Sequence, residues 1–335
     1  MSALWTPKDL RAATGGLLRG PISATGVSID TRTLKPGDLF VALVGEHGDG
    51  HAHVAAALAK GAAGAMVHLL PEGVDDDAWL LQVGDTLEGL RALAAFARGR
   101  FAGRLVAVTG SVGKTTTKEM LRRICTAEGK TWAAEASHNN QWGLPLTLAR
   151  LPANAAFCVA EIGMNHAGET APLAALARPH VAVITAIAPV HIGHLGSIEA
   201  IADEKAALLG ALEPGGTAVL PADSPLLERL LARAGGAAVR LFGAAETAGV
   251  RLLESLEDAE GSTVTADIDG HAATLRIAAP GPHMASNALA ALAGAVALGI
   301  GPEDAAAALA GFTPGAGRGA RRVIEGARLA RTPDD

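Results

Sequence analysis

The chain has 335 residues, 49% of them hydrophobic, with 41 glycines and only 3% aromatic residues, enough to bury at least two sizeable cores. Its 28 basic and 34 acidic residues give a net charge of −6, and no long basic run accompanies them, which argues against nucleic acid as a partner. Mean hydropathy is positive at +0.28. Even so, the longest apolar stretches, 181–190 and 288–300, fall short of the roughly 20 residues a membrane helix needs. The first ten residues show no basic segment leading into an apolar core and a small-residue cleavage site. Cys125 and Cys158 are isolated, and Cys158 reads as a small core residue within the apolar run 155–162. These features together predict a soluble protein of a reducing cytoplasm.

In chain order, the first eighty or so residues alternate short apolar strands with Ala-rich helices, predicting a small α/β module. Lys35-Pro-Gly-Asp38 has turn chemistry and precedes a strand at 39–43. A helix at 54–63, a strand at 65–70, a polar connection at 71–77 and a helix at 86–98 follow. Next comes Leu105-Val-Ala-Val-Thr-Gly-Ser-Val-Gly-Lys-Thr-Thr-Thr117, an apolar strand that runs into a Gly-rich turn and a helix. Backbone N–H groups of such a turn point at phosphate oxygens, Lys114 adds a point charge, and the Thr115 hydroxyl is able to hold a magnesium ion. Thr109, Gly110, Ser111, Val112, Gly113, Lys114, Thr115 and Thr116 are therefore the candidate cradle for a nucleoside triphosphate. Val108 stands where the eight-residue form of this motif has glycine, so the loop is the shorter Gly110-x-x-Gly113-Lys-Thr form.

From residue 104 onward strands and helices alternate, with strands at 105–109, 131–134, 157–162, 181–187 and 217–220. Such near-continuous apolar runs predict a mostly parallel sheet covered on both faces. Glu161 closes one of these strands, where parallel sheets bind ligands, and magnesium prefers oxygen donors of this kind. It is the candidate second metal ligand. The polar loop Ala188-Pro-Val-His-Ile-Gly-His-Leu-Gly-Ser197 carries His191 and His194, either able to ligate a metal or polarise a phosphate, and Lys205 lies on the helix predicted at 198–212. Asp269-Gly270 is a hairpin turn within 264–277, predicting an antiparallel appendage. A helix at 283–298 then places His283 and Asn287 one turn apart on one face.

Taken together, Thr109-Gly-Ser-Val-Gly-Lys-Thr-Thr116, Ser137-His-Asn-Asn-Gln-Trp-Gly-Leu-Pro145, Glu161-Ile-Gly-Met-Asn-His-Ala-Gly-Glu169, His191 with Lys205, and Gly281-Pro-His-Met-Ala-Ser-Asn-Ala-Leu-Ala290 resemble the Mur ligases. Within that family the Asn-Asn-x-x-Gly-x-Pro and Glu-x-Gly-x-Asn-His-x-Gly-Glu segments resemble the branch that adds D-alanyl-D-alanine to UDP-N-acetylmuramoyl-tripeptide. Order and spacing agree from about Ser28 to Arg318. The resemblance implies an ATP-hydrolysing amide ligase of peptidoglycan precursor synthesis, hence of cell wall formation, cell shape and division. In the reaction it implies, the tripeptide carboxylate takes the γ-phosphoryl group and the amine of D-alanyl-D-alanine displaces it.

By the same resemblance, Lys114 contacts the β- and γ-phosphates, Thr115 and Glu161 hold one Mg2+, and His191 ligates a second that a carbamylated Lys205 supports. Lys114, His191 and Lys205 are thus the implied catalytic residues. Asn287 matches the residue that reads adenine, for which a bidentate amide gives the physical reason, and Arg318 falls in the matched Gly-Arg segment at the nucleotide. Asn139 and Asn140 are expected to orient phosphate or substrate carboxylate. Ser28, Asp30, Thr31 and Arg32 match the uridine-nucleotide module, with Arg32 suited to an anionic group.

The implied organisation is a small N-terminal α/β domain (1–85) that binds the UDP-linked substrate, a central P-loop ATPase domain (86–315), and the truncated start (316–335) of a third, Rossmann-like domain that is otherwise absent. The tail after Gly326 is expected to lack the apolar strand found there in the family. A frameshift, a truncated gene model or a fragment would each account for it. The alternative reading is a nucleotide-binding module, remnant or part, without ligase activity of its own. Gly193 departs from relatives that carry glutamate two residues after the metal-binding histidine.

Overall fold

The computed structural model describes residues 3–45, 48–134, 139–190, 192–315, 322–324 and 327–329. The chain divides into two compact units, Met1–Ala102 with Asn140–Ala155, and Gly103–Asn139 with Ala156–Asp335.

The first unit carries a five-stranded sheet in the spatial order Leu17–Arg19, Leu80–Gln82, Gly64–Val67, Asp38–Val41, Gly26–Ser28, parallel except for the outermost strand Leu17–Arg19. Helix Pro7–Thr14 starts at a capping box between Thr6 and Asp9 and stops at Gly15, whose φ is 64°, a left-handed C-cap. Helix Thr86–Arg100 starts where the Asp85 carboxylate accepts the N–H groups of Leu87 and Glu88.

That helix, beyond the expected boundary at residue 85, falls in the first compact unit. Its Leu90, Leu93 and Ala97 bury in one core with Trp5, Leu10, Ile22, Val27 and Met66, so its apolar stripe belongs to the first unit. Helix Gly143–Ala149, expected in the central domain, joins the same core through Leu146 and Ala149. The Trp5 indole donates to the Ala149 carbonyl at 2.9 Å, and the Arg150 guanidinium donates to the Val27 carbonyl. Chain continuity hides such an excursion from a linear reading.

The second unit is built on a nine-stranded sheet in the order His271–Ile277, Gly261–Ile268, Val250–Asp258, Ala238–Gly243, Thr217–Pro221, Val181–Ile184, Arg104–Thr109, Phe157–Glu161, Thr131–Ala133. All pairings are parallel from Thr131–Ala133 across to Val250–Asp258, and the last two are antiparallel. Strands 105–109 and 181–184 are buried at every residue, as a sheet covered on both faces requires. One covering layer is made by Met120, Leu121 and Ile124 of helix Lys114–Glu128 and by Ala288, Leu289 and Leu292 of helix Pro282–Ala297. Strand Arg104–Thr109 has Phe157–Glu161 on one side and Val181–Ile184 on the other. The chain therefore reverses direction across the sheet there, and the carboxyl ends of these strands form the switch point where open α/β sheets take ligands.

The expected antiparallel appendage is present as an extension of this sheet. Asp269 and Gly270 both have positive φ, 52° and 87°, which is the two-residue hairpin turn that matches strand twist, and Ile268 faces His271 across it. The helix predicted at 198–212 ends at Ala206, with a 3₁₀ turn at Leu209–Ala211. Near the end of the chain Arg322–Ile324 and Ala327–Leu329 pair antiparallel, the second of them in the tail after Gly326 where no apolar strand is expected. No helix among the described residues is long and apolar enough to cross a membrane.

Candidate functional site

The cradle loop leaves its strand at Thr109 and closes into helix Lys114–Glu128 at Gly113. Gly110 and Gly113 have φ of 147° and 83°, conformations that L side chains rarely adopt. A Cβ on Gly110 would also strike the Thr185 hydroxyl, and one on Gly113 the Asn287 amide oxygen. The loop is clamped from the neighbouring strand end. Thr185 donates to the Val112 carbonyl at 2.6 Å. Ser111 donates to the Ala188 carbonyl at 2.9 Å and accepts the Ala188 N–H at 3.0 Å, while its own N–H reaches the Ala186 carbonyl at 2.8 Å. Lys114 folds back, its ammonium donating to the Gly110 carbonyl at 2.8 Å. Thr109 is buried, and Thr115 and Thr116 are half-buried on the first helical turn.

Asn287, 6% exposed, lies under this loop from helix Pro282–Ala297 and is 3.4 Å from the Thr117 hydroxyl. The structure thus brings Asn287 to the cradle, packed beneath Gly113. Thr185 is the residue that sequence reasoning missed. Its only signal was a hydroxyl directly after an apolar parallel strand, at the end where ligands bind.

Glu161 ends the strand beside the cradle strand, paired in register with Val108, and is 2% exposed. Its Oε1 accepts the Asn139 amide N–H at 2.8 Å. Its Oε2 is buried without a hydrogen-bond partner, an arrangement that costs free energy unless a cation or donor completes it. Lys205, on helix Ile198–Ala206, is also 2% exposed. Burial first, and then the nearby charge of Lys114, push its amine down to about 7, against the opposing pull of Glu204. Lys205 and Lys114 therefore lie within electrostatic reach of each other, and Glu161 lies at the strand end beside the cradle strand. Glu204 itself accepts the N–H groups of Gly168 and Thr170 at 2.9 and 2.8 Å, tying the loop after Glu161 to the lysine helix. His194 falls in the one-turn helix Ile192–Leu195, where a loop was expected. His191 and Arg318 lie outside the described residues.

The remaining predicted residues lie in the first unit. Ser28 is buried, and its hydroxyl donates to the Asp30 carbonyl at 3.0 Å. The Asp30 carboxylate receives the Arg32 backbone N–H and a two-nitrogen grip from the Arg32 guanidinium at 2.7–3.0 Å. These bonds hold the Asp30 carboxyl below its ordinary range. The Thr31 carbonyl accepts from Lys60 at 2.9 Å. Ser28, Asp30 and Arg32 bond to one another in this turn and Thr31 bonds to Lys60, leaving the Arg32 guanidinium exposed beside Asp30. Just before helix Gly143–Ala149, the Asn140 side-chain oxygen accepts the N–H groups of Trp142 and Gly143 at 3.2 and 2.9 Å. The division between the two units falls between Asn139 and Asn140.

A glycine-lysine-threonine cradle at the switch point of a parallel sheet, with a buried acid at the next strand end, defines a phosphate-binding α/β protein. Residues 108–295 match the Mur ligase middle domain and residues 23–97 the Mur ligase family catalytic domain, and the chain belongs to the Mur ligase family. A UDP-N-acetylmuramoyl-tripeptide–D-alanyl-D-alanine ligase of Bacillus subtilis is 35% identical over 311 residues, covering 92% of this chain and 67% of that protein. One from Escherichia coli is 39% identical over 220 residues, covering 65% of this chain and 48% of that protein. Among solved structures, MurF from Acinetobacter baumannii superposes with a TM-score of 0.86 at 30% identity, covering 96% of this chain and 71% of that one. MurF ligase from Thermotoga maritima in complex with ADP gives 0.76 at 25% identity, covering 91% and 70%. The chain spans about half to two thirds of the length of the curated relatives it matches.

Proposed function

We propose that this chain carries the nucleotide-binding and UDP-substrate-binding parts of an ATP-dependent amide ligase that joins D-alanyl-D-alanine to UDP-N-acetylmuramoyl-tripeptide. The observation that carries the reading is the buried Glu161 carboxylate, with one oxygen unpartnered, beside a cradle closed by Lys114. ATP fits the cradle through the loop N–H groups and the Lys114 ammonium, which would swing from loop carbonyls to phosphate oxygens. Thr115 and Glu161 fit one Mg2+, since magnesium is usually held by one or two carboxylates with substrate phosphates. The described residues contain no cluster of three or more His, Cys, Asp or Glu that would hold an ion alone. Magnesium would neutralise phosphate charge as the tripeptide carboxylate approaches.

At neutral pH much of the Lys205 amine is uncharged, the form that adds to carbon dioxide. Carbamylation would turn that neutral amine beside Lys114 into an anion able to support a second Mg2+ with His191. The Ser28–Arg32 turn is assigned to the uridine nucleotide, its guanidinium facing an anionic group. The reaction then runs by attack of the tripeptide carboxylate on the γ-phosphorus, release of ADP, and displacement of phosphate from the acyl phosphate by the dipeptide amine. Positioning and charge neutralisation supply most of the acceleration.

The test is mass-spectrometric detection of the UDP-linked pentapeptide and ADP in equal amounts by the protein that contains this chain. Product that depends on ATP, tripeptide and D-alanyl-D-alanine together is expected. ADP release that ignores both peptide substrates would overturn the assignment.

A further inference from the structure

We infer that Asn139 is a positioning residue for Glu161: its amide aims the carboxylate that the proposed function assigns to magnesium. The inference rests on that assignment and deepens it. Three contacts fix the amide. Its nitrogen donates to Glu161 Oε1 at 2.8 Å. The Asn139 backbone carbonyl accepts the Gly163 N–H at 2.8 Å. The side chain also lies across Gly163, where a Cβ would stand 2.8 Å from the amide carbon and nitrogen.

An amide facing a carboxylate at this distance presents its N–H, so the direction of the bond is unambiguous. The strand holds the backbone of Glu161 in place, with the next N–H, of Ile162, bonded to the Val108 carbonyl at 2.9 Å. What the strand leaves undetermined is rotation of the carboxylate plane, a broad torsion. A single donor on Oε1 removes that freedom and leaves Oε2 as the buried oxygen without a partner.

The choice of donor matters. A lysine or arginine would orient Glu161 equally well but would cancel the charge a cation needs. A neutral amide orients without cancelling. The arrangement also gives one physical reason for two separated sequence features, the asparagine at 139 and the glycine two residues after Glu161.

Outer hydrogen bonds to a metal-holding carboxylate are typically worth about 10–100-fold in metal affinity. The experiment measures Mn2+ binding to the 335-residue chain with ADP by electron paramagnetic resonance, and ADP binding in EDTA by titration calorimetry. Asn139→Ala is expected to weaken Mn2+ by about 10–100-fold and to lower the melt of the metal-free chain, because Glu161 loses its donor, while changing metal-free ADP affinity far less than Mn2+ affinity. Glu161→Gln alone should weaken Mn2+ as well, and adding Asn139→Ala to it should cost little more, because the amide acts only through that carboxylate. Gly163→Ala, whose Cβ displaces the amide, should reproduce the effect and serves as the second variant if Asn139→Ala does not fold. Unchanged Mn2+ affinity in Asn139→Ala, with a loss in Glu161→Gln, would overturn the inference and leave the metal assignment standing. Full additivity of the two would also overturn it. Unchanged affinity in Glu161→Gln would instead remove the metal assignment itself.

Discussion

Lys205 is a buried amine whose chemistry departs far from its free behaviour. Its amine is held down at about 7 in the folded chain from an ordinary 10.5, so between those values the unfolded chain holds a proton that the folded chain has released. Stability attributable to this group therefore rises with pH through that window and is lowest below it. Lys205→Met should be more stable than the parent near pH 6 in carbon dioxide-free buffer, by a Tm increase on the order of 5 °C, and the gap should close toward pH 10. Thermal melts across that range check the sign, and a gap that stays constant with pH would contradict it. A second residue-scale outcome concerns Cys125. Burial pushes its thiol up to about 12, and Cys158 is fully buried as well, so neither should react with a thiol reagent in the native chain at neutral pH, while both should react in denaturant. Reaction of either at the rate of an exposed thiol would contradict the packing.

At the scale of elements, the cradle strand, turn and helix were legible in the sequence because their signals are local: an apolar run, glycines with positive φ, and Lys-Thr at the helix start. The Asp269-Gly270 hairpin was legible for the same reason. Strands Ala238–Gly243 and Val250–Asp258 escaped, since their exposed and half-exposed residues, among them Arg251, Glu254, Glu257 and Asp258, follow no clean apolar alternation. Helix Gly143–Ala149 escaped in another way: the core its apolar residues enter is set by contacts as distant in sequence as Trp5 with Ala149. The site divides likewise. Glu161 and Lys205 were recognisable by motif, whereas the bond between Asn139 and Glu161 spans 22 positions and has no local signature. The Thr185 clamp on the cradle loop was equally invisible. Thr185→Val keeps the side chain's shape but removes the hydroxyl that donates to Val112, and should weaken nucleotide binding by about 3–10-fold, the loss of roughly one hydrogen bond. Calorimetry with ADP checks it, and an affinity equal to the parent's would show that the loop holds its shape without the clamp.

For the whole molecule, two compact units each bring one part of the proposed chemistry: the Ser28–Arg32 turn in the first, and the cradle with Glu161 and Lys205 in the second. The second unit's claim is the more exposed to test, because it depends on phosphate binding by a loop whose geometry is already set by Gly110, Gly113, Ser111 and Thr185. Preformed loops of this kind bind without paying for ordering. The measurement that bears most directly on the account is calorimetric titration of the 335-residue chain with ADP and magnesium, beside Lys114→Ala. One nucleotide per chain is expected, with weaker binding when magnesium is withdrawn and at least about a tenfold loss in Lys114→Ala, equal to roughly 1.4 kcal/mol. Absence of binding by the parent chain, or an affinity untouched by Lys114→Ala, would contradict it.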